Sequence, residues 1–564
     1  MNKLLLLSGF FLFSYHTVIA QQLNRKDKKL EKQIIKDINY LASDALEGRL
    51  TGSPGEKLSA EYIAAAYKKA GLKPLGVAGS YFQTFEIVTL RMATDSGILE
   101  IAGQRMKQFL DFYPLSLSSN RAELQSIAVN VGFGIQSKSP VRNDYEGKDA
   151  KGKVVIIDMG SPDGIHPHSE YLAWHGLESR VKEAIKQGAA GVVFYRNSDQ
   201  VEKPDGNLSL KTIPTSIPVV YCNRELANLP LGTPINLKVV IKSISEIGHN
   251  VIGFKDNKAK HTVVIGAHHD HLGRGQMGNS LSVENGLIHN GADDNASGIS
   301  ALLAISKDLR KAKKWNKNNN YLFIAFSGEE LGLLGSKYFT ENPTISLENI
   351  NYMLNMDMVG KLDSFKRVLV VNGVGTSPSW NKSIGAIALD TAKLKEIKTT
   401  DGGIGASDHT SFYLKNIPAV HFFTGQHFHY HKPTDDVEII HSKGEVHVIR
   451  YIENIIKSLN NEGKLTFTTT KSSDSTGRMK FAVTLGIMPD YIYSGEGVKV
   501  DGAKENMPGS KAGIQKGDVI INMNGVFIKD ISTYMKILGG LKSGMTVPLT
   551  VKRGEEIVNL TVQF

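Results

Sequence analysis

The chain has 564 residues, which at roughly 150 residues per domain predicts three or four domains. Apolar residues make up 41% and charged residues 22%, a balance that excludes disorder, collagen-like repeats and a coiled coil. The 66 Lys and Arg against 56 Asp and Glu leave a net charge of +10. That excess is spread along the chain without a dense basic block, so it favours solubility rather than nucleic-acid binding, and no apolar run approaches the ~18 residues of a membrane span.

Residues 1–20 have the layout of a secretory signal: Lys3, an apolar stretch Leu4–Phe13, then Val18-Ile19-Ala20 before Gln21-Gln22. They predict export to the periplasm or the medium, with no transmembrane segment in the mature chain. The single cysteine, Cys222, lies far from that point. No lipid anchor on a cysteine after the cleavage point is therefore expected, and no intrachain disulfide can form. Its apolar surroundings, Ile217–Tyr221, predict a buried and inert thiol.

The folded part opens with a marked helix. Ser53-Pro54-Gly55-Glu56 offers an N-cap, a proline in the first turn and a capping-box glutamate; Ile63, Ala66, Tyr67 and Ala70 recur at helical spacing before Gly71 and Pro74. Residues 120–245 change character. Short β-type runs, Val154–Ile157, Gly191–Tyr195 and Ile217–Tyr221, surround one helical segment, Leu177–Gln187, in a setting rich in Gly, Pro, Asn and Asp. A β-rich accessory domain fits this pattern. From 246 to 462 apolar strands (Thr262–Ala267, Tyr321–Phe326, Arg367–Asn372, Ala419–Phe423) alternate with amphipathic helices, the pattern of an α/β layered domain. Residues 463–478, with the polar run Thr466–Thr476, read as a linker. In 479–564 short strands follow, with Asn524-Gly525 a hairpin turn after Val519–Met523.

Five places in the α/β domain set metal-competent side chains at or beyond the C-terminal end of an apolar strand, where open α/β sheets build their sites. The first is His268-His269-Asp270-His271. With a two-residue period, His268 and Asp270 share one face and His269 and His271 the other, so His268 is a ligand candidate and Asp270 its orienting partner. The second is Gly291–Gly298, whose Asp294 has two oxygens with which to bridge two cations; by itself it also suits a helix cap. The third, Ser327-Gly328-Glu329-Glu330, offers one glutamate to a metal and one to a proton. The fourth is Asp357, embedded in apolar sequence where an unpaired carboxylate is costly. The fifth is His427–Asp435, containing His431. Each is weak alone; together they suit a co-catalytic dinuclear zinc site.

This motif set, Gly266–Gly273, Gly291–Gly298, Ser327–Gly332, Asn355–Asp357 and Tyr430–Asp435, with Leu46–Ser53 ahead of it, resembles the M28 family of zinc exopeptidases. The resemblance covers residues 35–118 and 246–460. It implies a three-layer α/β/α zinc-exopeptidase domain with a mixed sheet, split into 21–119 and 246–462. It also implies a β-rich protease-associated (PA) insertion at 120–245 and a C-terminal PDZ domain at 479–564. It further implies two zinc ions per chain: one held by His268 and Asp357, the other by Glu330 and His431, Asp294 bridging, Glu329 the general base and Asp270 in support. Ser407-Asp408-His409 resembles a family loop that borders the substrate pocket. In the PDZ unit, Gly495-Glu496-Gly497-Val498 places Glu496 where an apolar residue is common, so capture of a protein or peptide C-terminus there departs from the usual pattern.

The activity implied is an exported aminopeptidase acting on peptide substrates. Three rivals differ from it in ways that can be measured. A dipeptidase or carboxypeptidase would use the same site, a glutaminyl cyclase usually one zinc, and a non-catalytic PA/PDZ binding protein none.

Overall fold

A computed structural model of the protein describes residues 23–470 and 483–564, except 166–168, 199–200, 210–211, 213, 278, 283, 285, 312–315, 490–495, 504–506, 529–530, 543 and 555. The expected signal segment 1–20, the second half of the expected linker (471–478) and the start of the Gly495–Val498 loop lie outside the described residues. Among the described residues, no helix is long and apolar enough to cross a membrane.

After α1 (Arg25–Leu41), helix α2 (Pro54–Ala70) begins as its sequence predicts. The Ser53 side chain accepts the Glu56 N–H at 3.3 Å, and Gly71 closes the helix in the left-handed region at φ 72°. Glu56 differs from the capping-box expectation. Its buried carboxylate accepts the His249 backbone N–H and faces His249 Nδ1, both at 2.9 Å. The sheet thus supplies a stronger pair of partners than the helix's own first turn, and Glu56 ties α2 to it.

The catalytic-type sheet contains β1 (Phe82–Ala93), β2 (Pro234–Lys255), β3 (His261–His268), β4 (Asn319–Phe326), β5 (Ile350–Met356), β6 (Val368–Asn372), β7 (Glu396–Thr400) and β8 (Ala419–Phe423). It is mixed, in the order β7-β6-β8-β5-β3-β4-β2-β1. β4, β3, β5 and β8 are mutually parallel neighbours, so their C-terminal ends share one edge. Both sheet faces are buried. Val263, Ile265 and Ala267 of β3 pack with Ile38 of α1, Ile63 of α2, Leu302 of α3 (Gly298–Lys311) and Ile452 of a long C-terminal helix, Ser442–Leu459. Val264, one residue out of phase, joins Ile324 and Phe326 against Phe339 of α4 (Leu334–Glu341) and Phe412 of a short helix, His409–Tyr413. Alternate residues of one strand feeding opposite helical layers make a three-layer α/β/α domain.

No break falls at 245/246. β2 is one continuous strand whose first half pairs with Ile98–Ile101 and Arg121–Asn130, and whose second half pairs with β1 and β4. Residues 98–114, which the resemblance assigns to the 21–119 segment, pair on the accessory side: Ile98–Ile101 with the first half of β2 and Phe112–Pro114 with Val219–Cys222. Long-range backbone pairing decides both points, and local composition does not record it. Within the accessory unit Val154–Asp158, Gly191–Tyr195 and Val219–Cys222 run parallel, with the helix Leu177–Lys186 alongside. Cys222 is fully buried, and burial pushes its thiol up to about 11, as an inert thiol requires. The C-terminal unit holds a six-stranded sheet over its own core. Asn524 and Gly525 turn its hairpin with φ 53° and 79°, the left-handed pair of a type I′ turn.

Candidate metal centre

The shared edge of β4, β3, β5 and β8 gathers the predicted ligands. His268 ends β3, Glu329 and Glu330 follow β4, Asp357 follows β5, and His431 arrives on the loop after β8. Asp294 enters from the turn before α3, where the Asp294–Asn295 peptide is cis. Two carboxylate and amide clamps hold that turn. Asp435 accepts the N–H groups of Asp293 and Asp294, both at 3.0 Å. Asn295 accepts from the Gly298 and Met358 N–H groups and donates to the Met356 carbonyl, fixing the turn to the end of β5.

Two triads result, and they share Asp294. His268 Nε2 lies 3.4 Å from Asp294 Oδ1 and 3.4 Å from Asp357 Oδ1. His431 Nε2 lies 3.3 Å from Asp294 Oδ2 and 3.2 Å from Glu330 Oε2. Ligands about 2.0–2.1 Å from a tetrahedral zinc are roughly 3.3–3.4 Å apart, so these residues fit two such ions, with one oxygen of Asp294 serving each. Both imidazoles have their second nitrogen on a backbone carbonyl: His268 Nδ1 on Asp270 O at 3.2 Å and His431 Nδ1 on Asn279 O at 3.0 Å. Those Nδ1 contacts turn the Nε2 atom of each ring toward the site.

Asp270 orients His268 through its carbonyl; its carboxylate is 3.8 Å from the ring. That carboxylate instead accepts from Thr51 Oγ1 at 2.8 Å and from the Glu329 N–H at 3.2 Å, joining the Leu46–Ser53 segment to the base of the glutamate loop. Glu329 also stands outside both triads, with Oε2 4.0 Å from His268 Nε2.

The field is that of a cation site. Burial disfavours charge on His268, yet the Asp357 and Glu329 carboxylates hold its pKa well above the usual histidine value. Burial likewise opposes charge on His431, and Glu330 and Asp294 outweigh it. Against the cost of burial, His268 and His431 keep Asp294 well below the usual carboxylate range. Glu329 goes the other way. Burial raises it well above an ordinary glutamate, against the pull of His268 and with reinforcement from Asp357, Glu330 and Asp408. Two adjacent glutamates thus stand on opposite sides of the ordinary value, since Glu330 is lowered to about 2, with His431 overcoming its burial.

Sequence reasoning underused three residues. Ser407, noted only as part of a pocket loop, donates from Oγ to Asp357 Oδ2 at 2.7 Å. Arg49 is fully buried and donates to the carbonyls of His269, Asn290 and Gly291 at 2.9, 2.6 and 3.0 Å, and to that of Leu41. Strand alternation puts His271 on the face opposite His268, but β3 ends at His268, so the alternation stops there. The chain curls, and His271 Nδ1 comes to 2.9 Å from Glu330 Oε1. A charged residue inside a short Gly-flanked motif was the available signal for Arg49; for His271 there was none.

Residues 250–456 match the sequence profile of peptidase family M28, residues 126–229 that of the PA domain and residues 466–564 that of the PDZ domain. Aminopeptidase YwaD of Bacillus subtilis is 27% identical over 440 residues, 75% of this chain and 84% of that protein. Leucine aminopeptidase 2 of Trichophyton equinum is 26% identical over 295 residues, 50% of this chain and 52% of its own length. Among solved structures, the aminopeptidase from Aneurinibacillus sp. strain AM-1 is 24% identical, with 78% of this chain and 96% of that chain covered and a TM-score of 0.43.

Proposed function

With residues 250–456 a peptidase family M28 domain, 126–229 a PA domain and 466–564 a PDZ domain, we propose that this chain is an exported dinuclear zinc aminopeptidase. The observation that carries the reading is Asp294 standing between two triads, Oδ1 3.4 Å from His268 and Oδ2 3.3 Å from His431. His268, Asp294 and Asp357 would hold one ion; Asp294, Glu330 and His431 would hold the other. The similarity to aminopeptidases supports attack at the N-terminal end of a peptide rather than the C-terminal end.

Bound zinc supplies Lewis acidity to a water and to the scissile carbonyl. The chain's own residues supply the proton path and the fixed geometry. Glu329, partly buried and more basic than an exposed glutamate, takes a proton from the attacking water and returns it to the leaving amine. Its backbone is pinned by Asp270 Oδ1 at 3.2 Å, which holds the carboxylate at the edge of the cluster. Asp294, through the Asp435 clamp on its N–H, keeps its two oxygens splayed between the two histidines.

Zinc per chain, together with hydrolysis of matched free and N-acetylated peptides, tests this reading. Two ions and cleavage of free N-termini alone are expected. Cleavage of acetylated peptides from their C-terminal ends would move the reading to a carboxypeptidase, and one ion with release of pyroglutamyl peptides to a cyclase. Export rests on Lys3, Leu4–Phe13 and Val18-Ile19-Ala20. The mature chain recovered from the periplasm or medium should begin at Gln21, and a chain beginning at Met1 would overturn export.

A further inference from the structure

We propose that His271 is a positioning residue of the Glu330 side of the centre, clamping the outer oxygen of Glu330 so that a single oxygen faces the metal. The proposal rests on the two-metal reading above and adds to it a residue that the M28 motif set does not assign.

Glu330 has two oxygens with different neighbours. Oε2 lies 3.2 Å from His431 Nε2, on the metal side. Oε1 lies 2.9 Å from His271 Nδ1. His271 is fully buried, and its Nε2 has no hydrogen-bond partner among the described residues. A proton on Nε2 would have no acceptor, so the ring carries its proton on Nδ1 and donates it to Glu330. A direct-ligand role for His271 fits less well. Its Nδ1 is 3.9 Å from Asp294 Oδ2, whereas His431 reaches the same oxygen at 3.3 Å, the spacing that two ligands of one zinc require.

The ring is held on several sides. The His271 N–H donates to Arg49 O at 3.1 Å, in an isolated bridge between Leu50 and His271. Gly291, at φ 58°, lies so close that a Cβ there would sit 2.5 Å from His271 Cδ2. His431 packs against it edge to face, with ring centroids 5.9 Å apart. His271 therefore links the Leu46–Ser53 segment, through its buried Arg49, to Glu330. A carboxylate held this way binds in one orientation and keeps its second oxygen from competing for the ion, and loss of such a partner typically costs 10–100-fold in metal affinity.

The test uses the full-length mature protein, stripped of metal and titrated with zinc against a chromophoric chelator, for wild type, His271→Ala and His271→Asn. Circular dichroism of each metal-free protein shows that it folds. Wild type should bind two ions. His271→Ala should weaken one of them by about 10–100-fold and leave the other within about twofold. His271→Asn, whose side-chain N–H stands near the Nδ1 position, should recover most of that loss even if the alanine variant folds poorly. Wild-type affinity for both ions in His271→Ala, equal loss of both ions, or no recovery in a folded His271→Asn overturns the role of His271 alone. Fewer than two ions on wild type overturns the two-metal reading, and this role with it.

Discussion

Ser407 Oγ donates to Asp357 Oδ2 at 2.7 Å and in turn accepts from Asn355 Nδ2 at 2.7 Å. A loop hydroxyl thus holds the oxygen of Asp357 that faces away from His268, and Asn355, two residues before Asp357 on β5, aims the hydroxyl. The arrangement mirrors His271 on Glu330: each triad has one carboxylate with its outer oxygen occupied by a protein donor. Two donors of different chemistry, reaching in from different loops, leave one oxygen of each carboxylate for an ion.

Ser407→Ala should therefore weaken one ion by about tenfold while leaving the other in place. Chelator competition on the full-length protein reads this directly. Unchanged affinity at both sites would mean that Asp357 holds its orientation without the hydroxyl.

Glu329 and Asp294 should separate chemistry from metal binding. Glu329→Gln keeps the shape and removes the proposed base. It should retain both ions and lose about 10²–10⁴ in kcat. Asp294→Ala should instead lose metal, because both triads share that carboxylate. Zinc analysis beside single-substrate kinetics distinguishes the two, and a Glu329→Gln variant with near-wild-type kcat would remove Glu329 from the mechanism.

The convergence of the candidate residues was legible because each follows an apolar strand run or stands in a compact polar motif, and because parallel neighbours must deliver such positions to one edge. Strand limits read from the apolar runs agree closely with the observed ones, as at Ala419–Phe423. What stayed hidden depends on contacts between distant segments. The Arg49 acceptors lie as far along the chain as Gly291. Glu56 carried a correct local signal for a cap and was taken by a sheet partner, His249. The single strand Pro234–Lys255 crosses two units because its two halves find different neighbours. His271 escaped because strand alternation was carried past the last paired residue of β3.

Arg49 is the strongest candidate for a structural substitution with functional reach. Its guanidinium is fully buried, with its pKa lowered to about 10 by burial against the attraction of Asp270, Asp294 and Asp435, so it is a cation at neutral pH. Among the carbonyls it satisfies are those of Asn290 and Gly291, just before Asp294. Arg49→Met leaves those carbonyls buried and unpaired, at about 1–3 kcal/mol each, and should cost at least about 3 kcal/mol of stability. Denaturant unfolding measures this, and a loss below about 1 kcal/mol would show that water replaces the guanidinium.

Glu445 gives a pH signature with a definite sign. It is fully buried on the helix Ser442–Leu459, accepts from Ser300 Oγ, and has a second oxygen without a partner among the described residues. Burial, with Asp293 and Asp37 nearby, raises its pKa well above the ordinary glutamate value despite the Ser300 hydrogen bond. The folded state therefore holds a proton that the unfolded chain releases above about pH 4.3. Between that pH and the raised folded pKa the folded state binds more protons, so the contribution of Glu445 to stability falls as pH rises. Below pH 4 both states are protonated and the contribution is flat. Glu445→Gln keeps an amide N–H and a carbonyl where the protonated acid stands, without the titration. It should raise the unfolding midpoint relative to wild type at pH 8, and the gap should close toward pH 4. Thermal unfolding of both proteins across that range decides it, and a constant difference, or one that grows toward acid, would mean that Glu445 is ionised in the fold.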